Sequence, residues 1–221
     1  DGHIDHEIMD GMLRETFGEE LGAAPEQHHY TADPSLDKML WPIAEKFSSY
    51  LRLIFMQVLP RQLNIQFQRN YQLSYQEIAE FIPHRSYFSM IWMQPETSVW
   101  FMHLERQLAE GMAGRKYNLE FGATGKCWHD VPEADSSIYL EIGELLRRCF
   151  NGIPKAWGAR GRLEVERFRH MLQPAYLEEV QPEDIFIVQE FTVRHPELSG
   201  NLHLGIPYFM ILRLLGTELA A

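Results

Sequence analysis

Ten histidines and two cysteines are the first candidates for chemistry in this 221-residue sequence. His3 and His6 stand three apart and His28 and His29 are adjacent, but neither pair is joined by a suitably spaced carboxylate or cysteine set. Zinc needs three or four converging ligands, so no metal site is expected. His84, His103, His129, His170, His195 and His203 are scattered singly and read as structural or surface residues. Cys127 and Cys149 form no C-x-x-C pattern, and two thiols in a chain with an adequate core fit a reducing compartment. No Gly-x-Ser-x-Gly elbow, P-loop or Gly-x-Gly-x-x-Gly is present. The run Gly122, Ala123, Thr124, Gly125, Lys126 has the outline of a shortened phosphate loop, yet it lacks a preceding apolar strand and a Lys-Ser/Thr ending. It reads as a surface loop or a protein-contact loop, between which composition does not choose. Neither a catalytic residue nor a cofactor is expected.

The charge is unevenly placed. The net charge is −11, and residues 1–37 hold ten acids against the single base Arg14, a net of −9. The body is therefore nearly neutral. This argues against nucleic acid and an anionic membrane as partners, because both demand basic surface. No run reaches the ~18 continuous apolar residues of a membrane-spanning helix, and no basic-then-apolar signal pattern opens the chain. An opening on Asp1 rather than Met is what a piece of a longer protein would show.

Two kinds of element must position whatever acts. Ile4, Ile8, Met12, Leu13, Phe17 and Leu21 recur at helical spacing, giving one apolar stripe on an acidic amphipathic arm. Residues 1–35 read as this arm and a linker containing Pro25 and Pro34, and 36–221 as one α+β domain. An amphipathic segment on a polar linker suits docking in a groove, or packing on its own body. Within the domain, a long helix is predicted from Leu36 to near Pro60 and strands at Asn64–Tyr71, Arg162–His170, Asp184–Arg194 and Asn201–Ile206. A capping box at Ser74 and Glu77 opens a short helix, Tyr87–Leu104 is a hairpin, and Glu105–Tyr117 is helical. A second long helix starts near Pro132–Asp135 and runs to Trp157. Pro207 suits the first residue of a last helix through Leu219. The two halves repeat one element order at an offset of about 95–100 residues, which predicts a pseudo-twofold domain of antiparallel strands with two long helices.

Pro182-Glu-Asp-Ile-Phe-Ile-Val188 and Gly200-Asn-Leu-His-Leu-Gly-Ile-Pro-Tyr208 closely resemble the end of the middle domain of the FliM flagellar motor switch family. Gln173-Pro-Ala-Tyr-Leu177, Trp157, the helix Leu36–Leu59 and the loop Phe121–Lys126 support the resemblance, which spans about Ser35 to Leu219. It implies a pseudo-twofold CheC/FliM-like fold and a cytoplasmic ring component at the flagellar basal body, on the inner face of the cell membrane. The implied partners are FliG at Gly122–Lys126, neighbouring copies in the ring, phosphorylated CheY through the arm, and FliN if a C-terminal domain follows. In the arm, Ile4, Glu7, Ile8, Asp10, Met12 and Leu13 stand where the family has its Glu-Ile-Asp-x-Leu-Leu peptide, with Met9 extra and the preceding Ser-Gln absent. Ala123 replaces a family glycine.

The rival implied by the shared fold is a CheC-like phosphatase of a phosphorylated response regulator. That family carries Ser/Asp-x-x-x-Glu-x-x-Asn on a helix; here Ser137, Glu141 and Glu144 occupy the positions. Asparagine can donate a hydrogen bond to orient water, whereas ionised Glu144 only accepts and repels phosphate. A type III secretion ring protein uses related modules and is a further alternative.

Overall fold

The computed structural model describes residues 30–31, 33–59, 62–82, 86–116, 136–159, 162–171, 174 and 178–216. Period-two apolar runs and long amphipathic stretches give a single seven-stranded antiparallel sheet with helices on its faces. The strands are β1 (Tyr30–Thr31), β2 (Asn64–Ser74), β3 (Tyr87–Gln94), β4 (Ser98–Leu104), β5 (Glu164–Met171), β6 (Ile185–His195) and β7 (Leu198–Pro207). Their spatial order is β1-β2-β6-β7-β4-β3-β5. The helices are α1 (Pro34–Phe55), α2 (Tyr75–Phe81), α3 (Arg106–Lys116), α4 (Ser136–Phe150), α5 (Gly152–Trp157) and α6 (Tyr208–Leu215).

The repeat expected from element order is present. Reading outward from the central β7–β4 pair, β6 answers β3 and β2 answers β5. At that pair His103 lies opposite His203, Met102 opposite Leu204 and Phe101 opposite Gly205. An offset of one hundred residues carries position 103 onto 203, so the internal twofold passes through the histidine pair. A β-carbon at Gly205 would fall 1.8 Å from the Phe101 ring, so the ring occupies the space a side chain would need.

The sheet separates two cores. On one face α1, α3, α4, α5 and α6 bury Leu40, Phe47, Leu51, Phe55, Leu108, Leu146, Phe150 and Met210 against Ile65, Trp100, Phe191 and Leu204. On the other, Tyr75 and Ile78 of α2 close over Tyr71, Phe88, Phe101 and Phe186. Leu36, Leu40, Ile43, Phe47 and Leu51 keep helical spacing, which is why α1 buries one stripe. Its start is capped by Asp33, whose carboxylate accepts from the Ser35 amide at 2.8 Å. Asp37 in the first turn accepts from Asn70 Nδ2 at 2.7 Å, and Gln189 Nε2 donates to Asn70 Oδ1 at 3.2 Å, tying α1 to β2 and β6. The expected capping box is formed: Glu77 N donates to Ser74 Oγ at 3.2 Å while Ser74 N donates to Glu77 Oε2 at 2.7 Å.

Several boundaries differ from the sequence reading, each for a local reason. Tyr30 and Thr31, within the predicted linker, pair with Gln72 and Tyr71 as an added edge strand. The β2 register shifts between Phe67 and Arg69, so Ile65 and Phe67 face one core while Tyr71 and Leu73 face the other. The second long helix is broken at Asn151 and resumes as α5, which ends at Gly158 with φ of 67°. The β6–β7 turn is Pro196–Glu197, and Leu198–Gly200 already belong to the strand. Pro207 is the N-cap of α6, with ψ of 130°, rather than its first residue.

Candidate functional site

The loop containing Gly122, Ala123, Thr124, Gly125 and Lys126 lies outside the described residues, as does the arm segment Ile4–Leu13. The seats from which the loop departs and to which it returns are described. α3 leads into it and α4 receives the chain after it, and the two helices pack on one another. Glu105 fixes the base of α3: its carboxylate accepts from Asn201 N at 2.8 Å and Asn201 Nδ2 at 2.9 Å. Gly200 has no side chain at this junction, and a β-carbon there would lie 2.9 Å from Leu108. Leu108, Ala109 and Met112 are buried beneath, so α3 rests on the main core.

Glu144 is the one residue of the predicted phosphatase set whose side chain is described. Arg147 donates to it through Nε at 2.7 Å and Nη2 at 2.6 Å, and Arg148 Nε through a 3.4 Å contact. Hydrogen bonds from Arg147, reinforced by both charges, hold its carboxyl down to about 2. Arg148 also donates to Gln57 Oε1 at 2.6 Å, joining α4 to the end of α1. Glu144 is thus an ionised acceptor engaged by two guanidinium groups, without a proton to lend to water.

The histidines read as solitary include a pair. His103 and His203 are both buried, their rings stack at 5.2 Å with planes 17° apart, and their Nδ1 atoms share a hydrogen bond of 3.0 Å. Burial pushes His203 down to about 4 against the pull of Glu190, and drives His103 well below the ordinary histidine range. The signal that could have found the pair was the repeat itself, since 103 and 203 differ by its offset. Phe81 packs edge-on to His203, and Arg69 Nε donates to Glu190 Oε2 at 2.7 Å beside it. His170 bonds Ser89 Oγ through Nδ1 at 2.7 Å. Among the described residues no three His, Cys, Asp or Glu side chains converge as a metal site. Cys149 is unbridged and buried, and burial raises its thiol well above the ordinary range.

A cleft of about 260 Å³ opens where the β3–β4 turn, the 179–186 segment and α6 meet. Its lining offers the carboxylates Glu179, Glu183 and Asp184 with the hydroxyls of Thr97, Ser98 and Tyr208, and no histidine, lysine or cysteine. No described helix is long and apolar enough to cross a membrane.

Solved structures share this architecture. The FliM middle domain from H. pylori superposes with a TM-score of 0.68 at 14% identity, over 84% of this chain and 99% of that one. The FliM middle domain from Vibrio alginolyticus gives 0.65 at 17% identity, over 78% and 95%. A FliG–FliM complex from H. pylori gives 0.67 at 15% identity, over 86% and 100%. No curated protein matches the sequence. Residues 36–218 match the family described as Flagellar motor switch protein FliM. With that match over most of its length, and with helices seated on an internally duplicated antiparallel sheet, the chain belongs to the FliM flagellar motor switch family.

Proposed function

We propose that this chain is a non-enzymatic part of the cytoplasmic rotor switch ring, binding FliG through Gly122–Lys126 and phosphorylated CheY through Ile4–Leu13. The observation that supports it most is the family match of residues 36–218, on a fold shared with a FliM chain solved together with FliG. Glycines at 122 and 125 would let a partner approach the loop backbone closely. The seating of α3 by Glu105 gives such a contact a rigid base. Neighbouring copies would flank the domain in the ring, and FliN would join through a C-terminal domain if one follows. The engagement of Glu144 by Arg147 and Arg148 argues against water activation on α4.

The test is co-purification with FliG and with phosphorylated CheY. Gly125→Arg should abolish FliG recovery and spare CheY, while Ile8→Asp with Met12→Asp should do the reverse. Unchanged FliG recovery with Gly125→Arg refutes the loop assignment. Faster loss of phosphate from CheY, abolished by Glu141→Ala, would show the phosphatase instead.

A further inference from the structure

The outer face of α1 carries large apolar side chains at both ends and bases between and beside them. Trp41 is 40% exposed, Leu53 64% and Met56 45%. Lys38, Lys46 and Arg52 are exposed on the same helix against the single exposed acid Glu45. The Arg148–Gln57 hydrogen bond brings Arg147 and Arg148 of α4 to the Met56 end, where both guanidinium groups are about half exposed and outnumber the one carboxylate they share, Glu144. This face is thus apolar with a basic rim.

The acidic arm matches it feature by feature. Its apolar stripe groups Ile4 and Ile8 near one end and Phe17 and Leu21 near the other. As a helix these groups stand ~20 Å apart, and Trp41 and Leu53 stand ~18 Å apart on α1. Asp5, Glu7 and Asp10 flank the first group, and Glu15, Glu19 and Glu20 flank the second. Laid antiparallel to α1, the arm sets Ile4 and Ile8 on Leu53 and Met56, with its first acids beside Arg52, Arg147 and Arg148. Phe17 and Leu21 then reach Trp41, with the later acids beside Lys38 and Lys46.

The tether permits this. β1 pins Tyr30–Thr31 to β2 and ends two residues before the N-cap Asp33, so the arm re-enters the fold at the start of α1. Residues 22–29 can span at most ~28 Å. That is more than a return along the first turns of α1 requires, and it brings Leu21 to the Trp41 end. We infer that residues 4–21 dock in cis along the outer face of α1 as the second helix of an antiparallel pair. The arm is then held by the body until a partner takes it. That consequence rests on the response-regulator reading above, but the docking itself does not.

Nuclear magnetic resonance on the full chain tests it without any partner. A nitroxide at Ser49→Cys, in a Cys127→Ser background, should remove most of the intensity of amide signals from residues 4–21. A nitroxide at Glu166→Cys on β5 should not. At about 1 M salt, where the screening length is ~3 Å, the signals should recover. Arg52→Glu with Leu53→Asp should also restore them. Full intensity with the Ser49 label overturns the proposal. So does loss seen only when spin-labelled chains are mixed with separate isotope-labelled ones, which would place the arm on a second copy. If the arm docks but never binds phosphorylated CheY, the functional reading fails and this one stands.

Discussion

His103 and His203 face each other across β4 and β7 with their Nδ1 atoms 3.0 Å apart, each the counterpart of the other under the internal twofold. Two neutral imidazoles can form that bond only if one donates while the other accepts, so the pair must break the symmetry on which it stands. His103 Nε2 finds no hydrogen-bond partner among the described residues, so that ring bears an uncompensated polar atom inside the sheet.

This pair should make stability depend on pH. Burial sets His203 at about 4 and His103 well below its ordinary value, against an unfolded value near ~6.5. Below that value the unfolded chain binds more protons than the folded one. The contribution is therefore complete above pH ~6.5 and is lost progressively as pH falls toward 4. For His203 alone the loss amounts to about 3 kcal/mol. Urea unfolding between pH 7.5 and 4.5 should show this slope, and His103→Phe with His203→Phe should flatten it. A slope unchanged in the double variant refutes the assignment.

Gly205→Ala should destabilise the domain by about 1–3 kcal/mol, since the new methyl meets the Phe101 ring inside van der Waals contact. Phe101→Leu in the same chain should recover part of the loss. Thermal unfolding of the two single variants and the double one measures the coupling.

Asn70→Leu should cost about 1–3 kcal/mol because it strands the Asp37 carboxylate and the Gln189 amide together. Adding Asp37→Ala should cost little more, because the two residues serve one contact. Additive losses would show that they act independently.

Glu105→Ala should free the start of α3, leaving two Asn201 donors without their acceptor, at about 1–3 kcal/mol. Amide exchange along α3 should accelerate while β2 and β6 stay protected. Uniform acceleration would mean that α3 is not an independent unit.

The hairpins and the duplication were legible because apolar and aromatic runs recur at one offset, and β3 and β4 bury nearly every position. What escaped depends on register. Gln68 at the β2 irregularity looks like any polar strand residue, yet there the strand exchanges one core for the other. The apolar spacing runs on through Cys149, Ile153 and Trp157, hiding the break at Asn151. Single histidines carry no sign of each other until strands are aligned. The proposed partner contacts, Gly122–Lys126 and Ile4–Leu13, fall outside the described residues, so their support is sequence motif together with the described anchors around them.

The two-residue strand β1 fixes the point from which the arm is strung. A partner captured by Ile4–Leu13, as proposed, would be held within on the order of 20 Å of that sheet edge if the released residues 14–29 behave as a free coil. Within such a radius one molecule counts as a millimolar local concentration. A second contact far too weak to form in free solution would then be substantially occupied. If the arm captures a partner as proposed, Tyr30 and Thr31 would convert that capture into a high local dose of its cargo against the domain.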